Sequence, residues 1–95
     1  RAARDPIPYI GVEGTSDSDQ AGVKSVFPGS PAEAAGIRPG DVIIRFHRSP
    51  VTDFQSLQSA VRRSDAGRTV TVEVLRGGTE VTLQLRVGDK NQRRR

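Results

Sequence analysis

Apolar and polar positions alternate along much of this chain, and the elements are marked by where the alternation starts and stops. Tyr9–Gly14 (YIGVEG) reads as a short strand, and the all-polar Thr15–Gln20 (TSDSDQ) as a turn or loop. In Ala21–Phe27, Val23, Ser25 and Phe27 share one face while Lys24 and Val26 share the other, which predicts a strand partly buried on both faces. Pro28-Gly29 ends it. Asp41–Phe46 (DVIIRF) is strongly β-prone. Thr69–Leu75 places Val70, Val72 and Val74 on one face, and Glu80–Val87 does the same with Val81, Leu83, Leu85 and Val87. Arg76–Thr79 (RGGT) joins these last two as a Gly-Gly hairpin turn.

Two stretches carry helical signals instead. Ser30 is a good N-cap, Pro31 suits the first helical position, and Glu33 completes a capping-box pattern. Gly36 can end this helix, so Ser30–Ala35 is barely more than one turn. Arg38-Pro39-Gly40 and Arg48-Ser49-Pro50 read as turns. Thr52 or Asp53 then caps a longer helix, in which Phe54, Leu57, Gln58, Ala60 and Val61 recur at helical spacing. It should end near Ser64, before Asp65-Ala66-Gly67. Leu57 and Ala60 are expected against the sheet. Strands dominate this order, which predicts a small, partly closed sheet or β-sandwich with one real helix packed on its open edge.

The length of 95 residues allows one domain with a single small core. No apolar run approaches the ~18–20 residues that span a bilayer, so no membrane insertion is expected. There is no Cys, which excludes disulfides, thiolate nucleophiles and Cys-ligated metal centres, and the single His excludes a multi-histidine site. No metal and no cofactor are expected. Without Trp and with few other aromatics, the core must be built from Val, Ile, Leu and Ala. The chain contains no Met, even at its first position, and is expected to be an excised piece of a longer protein. Residues 1–7, charged and carrying Pro6, read as a flexible leader, 8–88 as the folded domain, and 89–95 as a basic C-terminal tail.

The net charge of +4 points toward an acidic partner until its distribution is considered. Between Pro8 and Gly88 the chain has nine basic and nine acidic residues, so the body is neutral and the excess lies in the two ends. A nucleic-acid surface needs a basic stripe on the folded face, often with stacking aromatics. Neither is evident, and no nucleic-acid partner is expected. Arg93–Arg95 reads as a solvated tail.

Catalytic chemistry finds little support. His47 stands at a strand end beside Arg48 and a turn, where an ordinary surface histidine is expected. No Gly-x-Ser-x-Gly elbow is present to expose a nucleophile. Asp41 follows Gly40 and is expected to bond turn amides rather than to serve as an acid. The carboxylates are scattered singly, and Gly77-Gly78 sits between two alternating strands as a turn, not a phosphate loop.

Pro28–Phe46, PGSPAEAAGIRPGDVIIRF, resembles the central signature of PDZ domains of the bacterial, circularly permuted type. There, Pro-Gly-Ser-Pro-Ala opens the short helix, Ala-Gly closes it, and Gly-Asp-Val-Ile starts the next strand. The likeness extends over Tyr9–Val87, and its Pro28–Phe46 part is the specific one. It implies a mainly β fold with α elements, a PDZ-like, partly open five- to six-stranded β-sandwich or barrel capped by one long and one short helix. PDZ domains of this type are appended to HtrA-type serine proteases and to secreted zinc aminopeptidases, the second being the group the short Thr15–Gln20 loop resembles more.

The resemblance also implies a function. The isolated domain would be a non-catalytic peptide-binding module that takes an extended peptide, ending in a free carboxylate and an apolar residue, as an added strand. Tyr9, Ile10, Gly11 and Val12 would form the carboxylate-binding loop, their amides converging as an anion nest does. Ile10, Val12 and Val61 would line the pocket for the last side chain. Val12, Glu13 and Gly14 would offer the strand edge, and Phe54, Gln58, Val61 and Arg62 the facing helix wall. Phe54 stands where many animal PDZ domains carry a His, which implies an apolar preference two residues before the ligand's end. The basic residue that some family members place before the loop has only Arg4 as its nearest match. A structural or assembly domain with an empty or self-occupied groove is the alternative. A bacterial periplasmic, envelope or secreted location and a monomeric state complete the expectations.

Overall fold

The computed structural model describes residues 8–14 and 20–89. The leader 1–7, the loop 15–19 and the tail beyond Asp89 lie outside the described residues, and with them Arg4 and the loop that resembles the aminopeptidase group. The chain runs β1 (Pro8–Tyr9), β2 (Val12–Gly14), β3 (Ala21–Val26), α1 (Pro31–Ala35), β4 (Val42–Phe46), β5 (Ser49–Pro50), α2 (Phe54–Arg63), β6 (Thr69–Arg76), β7 (Thr79–Arg86) and β8 (Gly88–Asp89). Six strands form one antiparallel sheet in the order β2-β3-β4-β6-β7, with β5 paired to β4. β1 and β8 form a second, two-stranded pairing, with Pro8 opposite Asp89 and Tyr9 opposite Gly88. The fold is therefore the sheet-dominated, two-helix architecture expected, and its first and last strands close on each other.

The β6–β7 hairpin is the longest ladder, running in register from Thr69↔Arg86 to Arg76↔Thr79 around Gly77-Gly78. Its alternation is realised directly: Val70, Val72, Val74 and Leu85 are buried, whereas Thr82, Gln84 and Arg86 are exposed. Ile43 and Phe46 of β4 and Leu57 and Ala60 of α2 complete the core.

Both helices begin on side-chain caps. Asp53 caps α2 by accepting from Ser56 N at 2.8 Å, and Ser56 Oγ accepts from Asp53 N in return, a full capping box. In α1 the Ser30 hydroxyl accepts from Glu33 N at 3.2 Å, but the Glu33 carboxylate takes Gly29 N at 2.6 Å rather than the cap residue's own amide. Ser30 N is engaged by Phe27 O instead.

Three details differ from the sequence reading. The stretch Tyr9–Gly14 is not one strand: it breaks at Ile10-Gly11, where Gly11 has φ +87°, and its two halves join different sheets. β3 stops at Val26, and Phe27, expected to continue the Val23 face, is 51% exposed. The two-residue strands β5 and β8 carry no periodicity that would have marked them.

Asp41 is also more than a turn residue. Its carboxylate does accept from Arg38 N at 3.0 Å, but it is buried and also takes two bonds from Arg76, from Nε at 2.9 Å and Nη2 at 2.8 Å. The same Nη2 donates to Gly36 O, which ties the end of α1 to β6. Burial pushes the Asp41 carboxyl up. The Arg76 hydrogen bonds, the Arg38 amide and the charges of both arginines outweigh burial and hold it below its ordinary value.

Candidate functional site

β2 is an edge strand, and α2 lies across from it, packed on β1, β3 and β4. Between them runs a groove of about 470 Å³. Tyr9, Ile10, Gly11 and Val12 line one wall, and Phe54, Gln58, Val61 and Arg62 line the other. Pro8, Phe27 and Leu57 also line it, although the sequence reading did not assign them there. Leu57 is a core residue, so its wall contribution is the inner edge of the core. Phe27 reaches the groove because its strand ends one residue early. Pro8 does so because β1 pairs with β8 rather than continuing into β2. Neither event has a local signal.

The loop between β1 and β2 is fixed through its carbonyls. Ala32 N of α1 donates to Ile10 O at 2.8 Å, and Phe27 N donates to Gly11 O at 3.0 Å. Ile10 is buried under the loop and Val12 is half-buried. Gly11 lies against the buried Ser30, where a Cβ would run into Ser30 Cβ and stand 2.8 Å from Ser30 Oγ. Its left-handed backbone and this contact each call for glycine. The cap of α1 thus braces the loop from behind.

Glu13 and Gly14 stand apart from the pocket proper. Glu13 is exposed and accepts from Ser25 Oγ at 2.9 Å, and the β2–β3 register shifts between Glu13 and Gly14. Gly14 meets the opposite wall: a Cβ built on it would lie 2.6 Å from Phe54 Cδ1. The Phe54 ring therefore covers the end of the edge strand and narrows the groove there. Val61 and Leu57 are buried side by side on α2, while Gln58 and Arg62 are exposed on its outer flank.

Residues 8–87 match the family described as PDZ domain. The chain belongs to the PDZ domain family. This PDZ domain is 34% identical over 70 residues to the periplasmic serine endoprotease DegP of Escherichia coli, covering 74% of the chain and 15% of DegP. It is 39% identical over 61 residues to HhoA of Synechocystis sp., covering 64% of the chain and 16% of that protein. Among solved structures it is similar to the HtrA-type protease AlgW with decapeptide, at a TM-score of 0.80 and 27% identity, covering 93% of the chain and 31% of that one. The chain thus spans about one sixth of the curated relatives it matches, and the matched stretch is a PDZ domain rather than a protease domain. Among the described residues no cluster of His, Asp and Glu could hold a metal ion, and no helix is long and apolar enough to cross a membrane. His47 is exposed on the β4–β5 turn with φ 59°.

Proposed function

We propose that the groove takes an extended peptide as an added strand between Val12–Gly14 and α2, reading a free C-terminus with an apolar last residue. The observation that carries this is the loop at its end. With the Ile10 and Gly11 carbonyls already engaged by the amides of Ala32 and Phe27 respectively, the N–H groups are what Ile10–Val12 has to offer an incoming carboxylate. Beside them, Ile10, Val12, Leu57 and Val61 make the floor apolar, as a terminal aliphatic side chain requires. AlgW, a structural relative, was solved with a decapeptide. Strand addition supplies affinity through main-chain bonds and specificity through alternate side chains. Such a small contact supports affinities on the order of micromolar to high micromolar.

In this reading the domain recruits or positions substrate for an attached peptidase, or regulates it. The relatives favour an HtrA-type serine protease over a zinc aminopeptidase as that partner in the chain. DegP is periplasmic, which favours a periplasmic or envelope location. The folded domain would act as a monomer, with residues 1–7 as leader and 89–95 as tail.

A second reading, an assembly domain with an unused groove, draws on the Phe54 ring lying over Gly14. An amide NMR titration separates the two. A short peptide ending in Val or Leu is compared with the same peptide amidated at its end. Shifts at Ile10–Gly14 and along Phe54–Val61 with the free acid alone establish C-terminus reading. Equal shifts with both peptides mean a strand groove that ignores the carboxylate. No shifts with either favour the assembly reading or a groove filled by the leader, and deletion of residues 1–7 tells those apart.

A further inference from the structure

The groove is almost uncharged. Of the residues that line it, Arg62 alone carries a formal charge. Its position along the groove follows from the two walls. Phe54, at the start of α2, meets Gly14, at the end of β2. Arg62 lies eight residues further along the helix, about 12 Å of rise. Gly11 lies three residues back from Gly14, about 10 Å of extended chain. The walls run antiparallel, so Arg62 comes level with the Ile10–Val12 loop rather than with the Phe54 end. There α2 lies beside β1. The ion pairs among the described residues use Arg45, Arg68 and Arg76 and leave Arg62 unengaged.

We propose that Arg62 is a specificity-determining residue that pairs with the ligand's terminal carboxylate, adding a charged contact to the backbone amides of the loop. This rests on the C-terminus-reading function proposed above. A point charge at the mouth favours ligands that end in a free acid over internal segments and amidated ends, which the neutral amides discriminate less strongly. Exposed pairs of this kind are weak individually, so the predicted effect is a bias, not a switch.

Arg62 also stands in the last turn of its helix, where any cation suits the helix dipole. Arg63 shares that turn and that charge but does not line the groove, which makes it the control. The experiment measures affinities of the wild-type chain, Arg62→Gln, Arg62→Glu and Arg63→Gln for one Leu-ended peptide, as free acid and as amide, at low and high salt. Arg62→Gln is expected to weaken the free acid about two- to five-fold and leave the amide unchanged, with the gap closing as salt rises. Arg62→Glu should weaken the free acid further, and Arg63→Gln should change neither. If Arg62→Gln shifts acid and amide equally, or if Arg63→Gln reproduces its effect, the role of Arg62 is a structural or diffuse one and the proposal is wrong. If the wild-type chain itself binds acid and amide alike, the underlying reading fails first. If the wild type discriminates and Arg62→Gln discriminates equally well, that reading stands and only the assignment to Arg62 falls.

Discussion

Gly11→Ala tests the idea that the short helix α1 braces the loop between β1 and β2. Gly11 has φ +87°, which costs an L-residue about 1–2 kcal/mol, and its added Cβ would run into Ser30 Cβ, with Ser30 Oγ at 2.8 Å. Ser30 cannot step aside freely: it is buried, its hydroxyl holds Glu33 N, and its amide is bonded to Phe27 O. Overpacking at such a site costs about 1–3 kcal/mol, and the lost freedom of the unfolded glycine returns about 0.4–1 kcal/mol. The net expectation is a loss of about 1–5 kcal/mol, a large part of a small domain's stability. With a urea m-value of about 1 kcal/mol/M, the unfolding midpoint should fall by about 1 M or more. Ser30→Gly removes the obstructing atoms and costs a few tenths of a kcal/mol as a cap change, roughly. In the double variant the steric part should vanish, giving a coupling energy of about 1–3 kcal/mol between the two sites. Circular dichroism in urea measures all four corners of the cycle. If the two changes are additive to within about 0.5 kcal/mol, the loop does not rest on Ser30 and the bracing argument is wrong.

Other expectations follow from the groove and the buried ion pair. Phe54→His should shift peptide selectivity toward Ser or Thr two residues before the ligand's end. A peptide array that shows no change would mean that Phe54 does not face the ligand. Phe54→Ala, which uncovers Gly14, should tighten binding of a six-residue peptide more than that of a two-residue one, and calorimetry with both lengths decides it. The depressed ionisation of Asp41 stabilises the fold above the ordinary carboxylate value of ~3.9, and this contribution is lost as pH falls through the still lower folded-state value. Asp41→Asn should therefore be less stable than wild type at neutral pH, with the difference shrinking below about pH 4 in urea midpoints measured across pH.

Much of this architecture can be read from local pattern, and its exceptions have a common origin. Pro28–Phe46 carries its structure in its own residues: a cap, a proline, a terminating glycine and a β-branched run, all within a few positions of one another. The β6–β7 hairpin is as local, because a two-residue turn fixes its register. Tyr9–Gly14 misleads because its apolar spacing continues through Gly11, while the break there depends on Ser30 and Ala32, some twenty residues away. The partnership of Asp41 with Arg76 spans 35 positions and leaves no trace in either neighbourhood. Phe27 looks like the next member of a buried face, and only the early end of β3 turns it outward. For the groove, the residues named from the family resemblance, apart from Glu13 and Gly14, come together around one cavity, whereas Pro8 and Phe27 join it through chain ends and pairings that no window of sequence contains.

On the proposed function, the two helical regions of the domain would contribute to recognition in different ways. The α1 region lines none of the groove among the described residues, yet it holds Ile10 O through Ala32, backs Gly11 through Ser30, and is itself moored by Arg76 through Gly36 O and Asp41. Its contribution is to the fixed geometry of the loop, which any free C-terminus would meet in the same way. The α2 wall is different in kind. Phe54, Gln58 and Arg62 are presented at successive turns from a helix whose packing is carried by Leu57, Ala60 and Val61. On the proposed function, replacing the first three would alter what the groove selects without removing a buried core residue. Replacing the second three empties the core beneath it, at about 2–5 kcal/mol for Leu57→Ala. On the proposed function, the backbone part of carboxylate binding would therefore rest on the loop and its brace, while Arg62's charge and the discrimination among peptides would come from the outer flank of α2, which can change with little cost to the core.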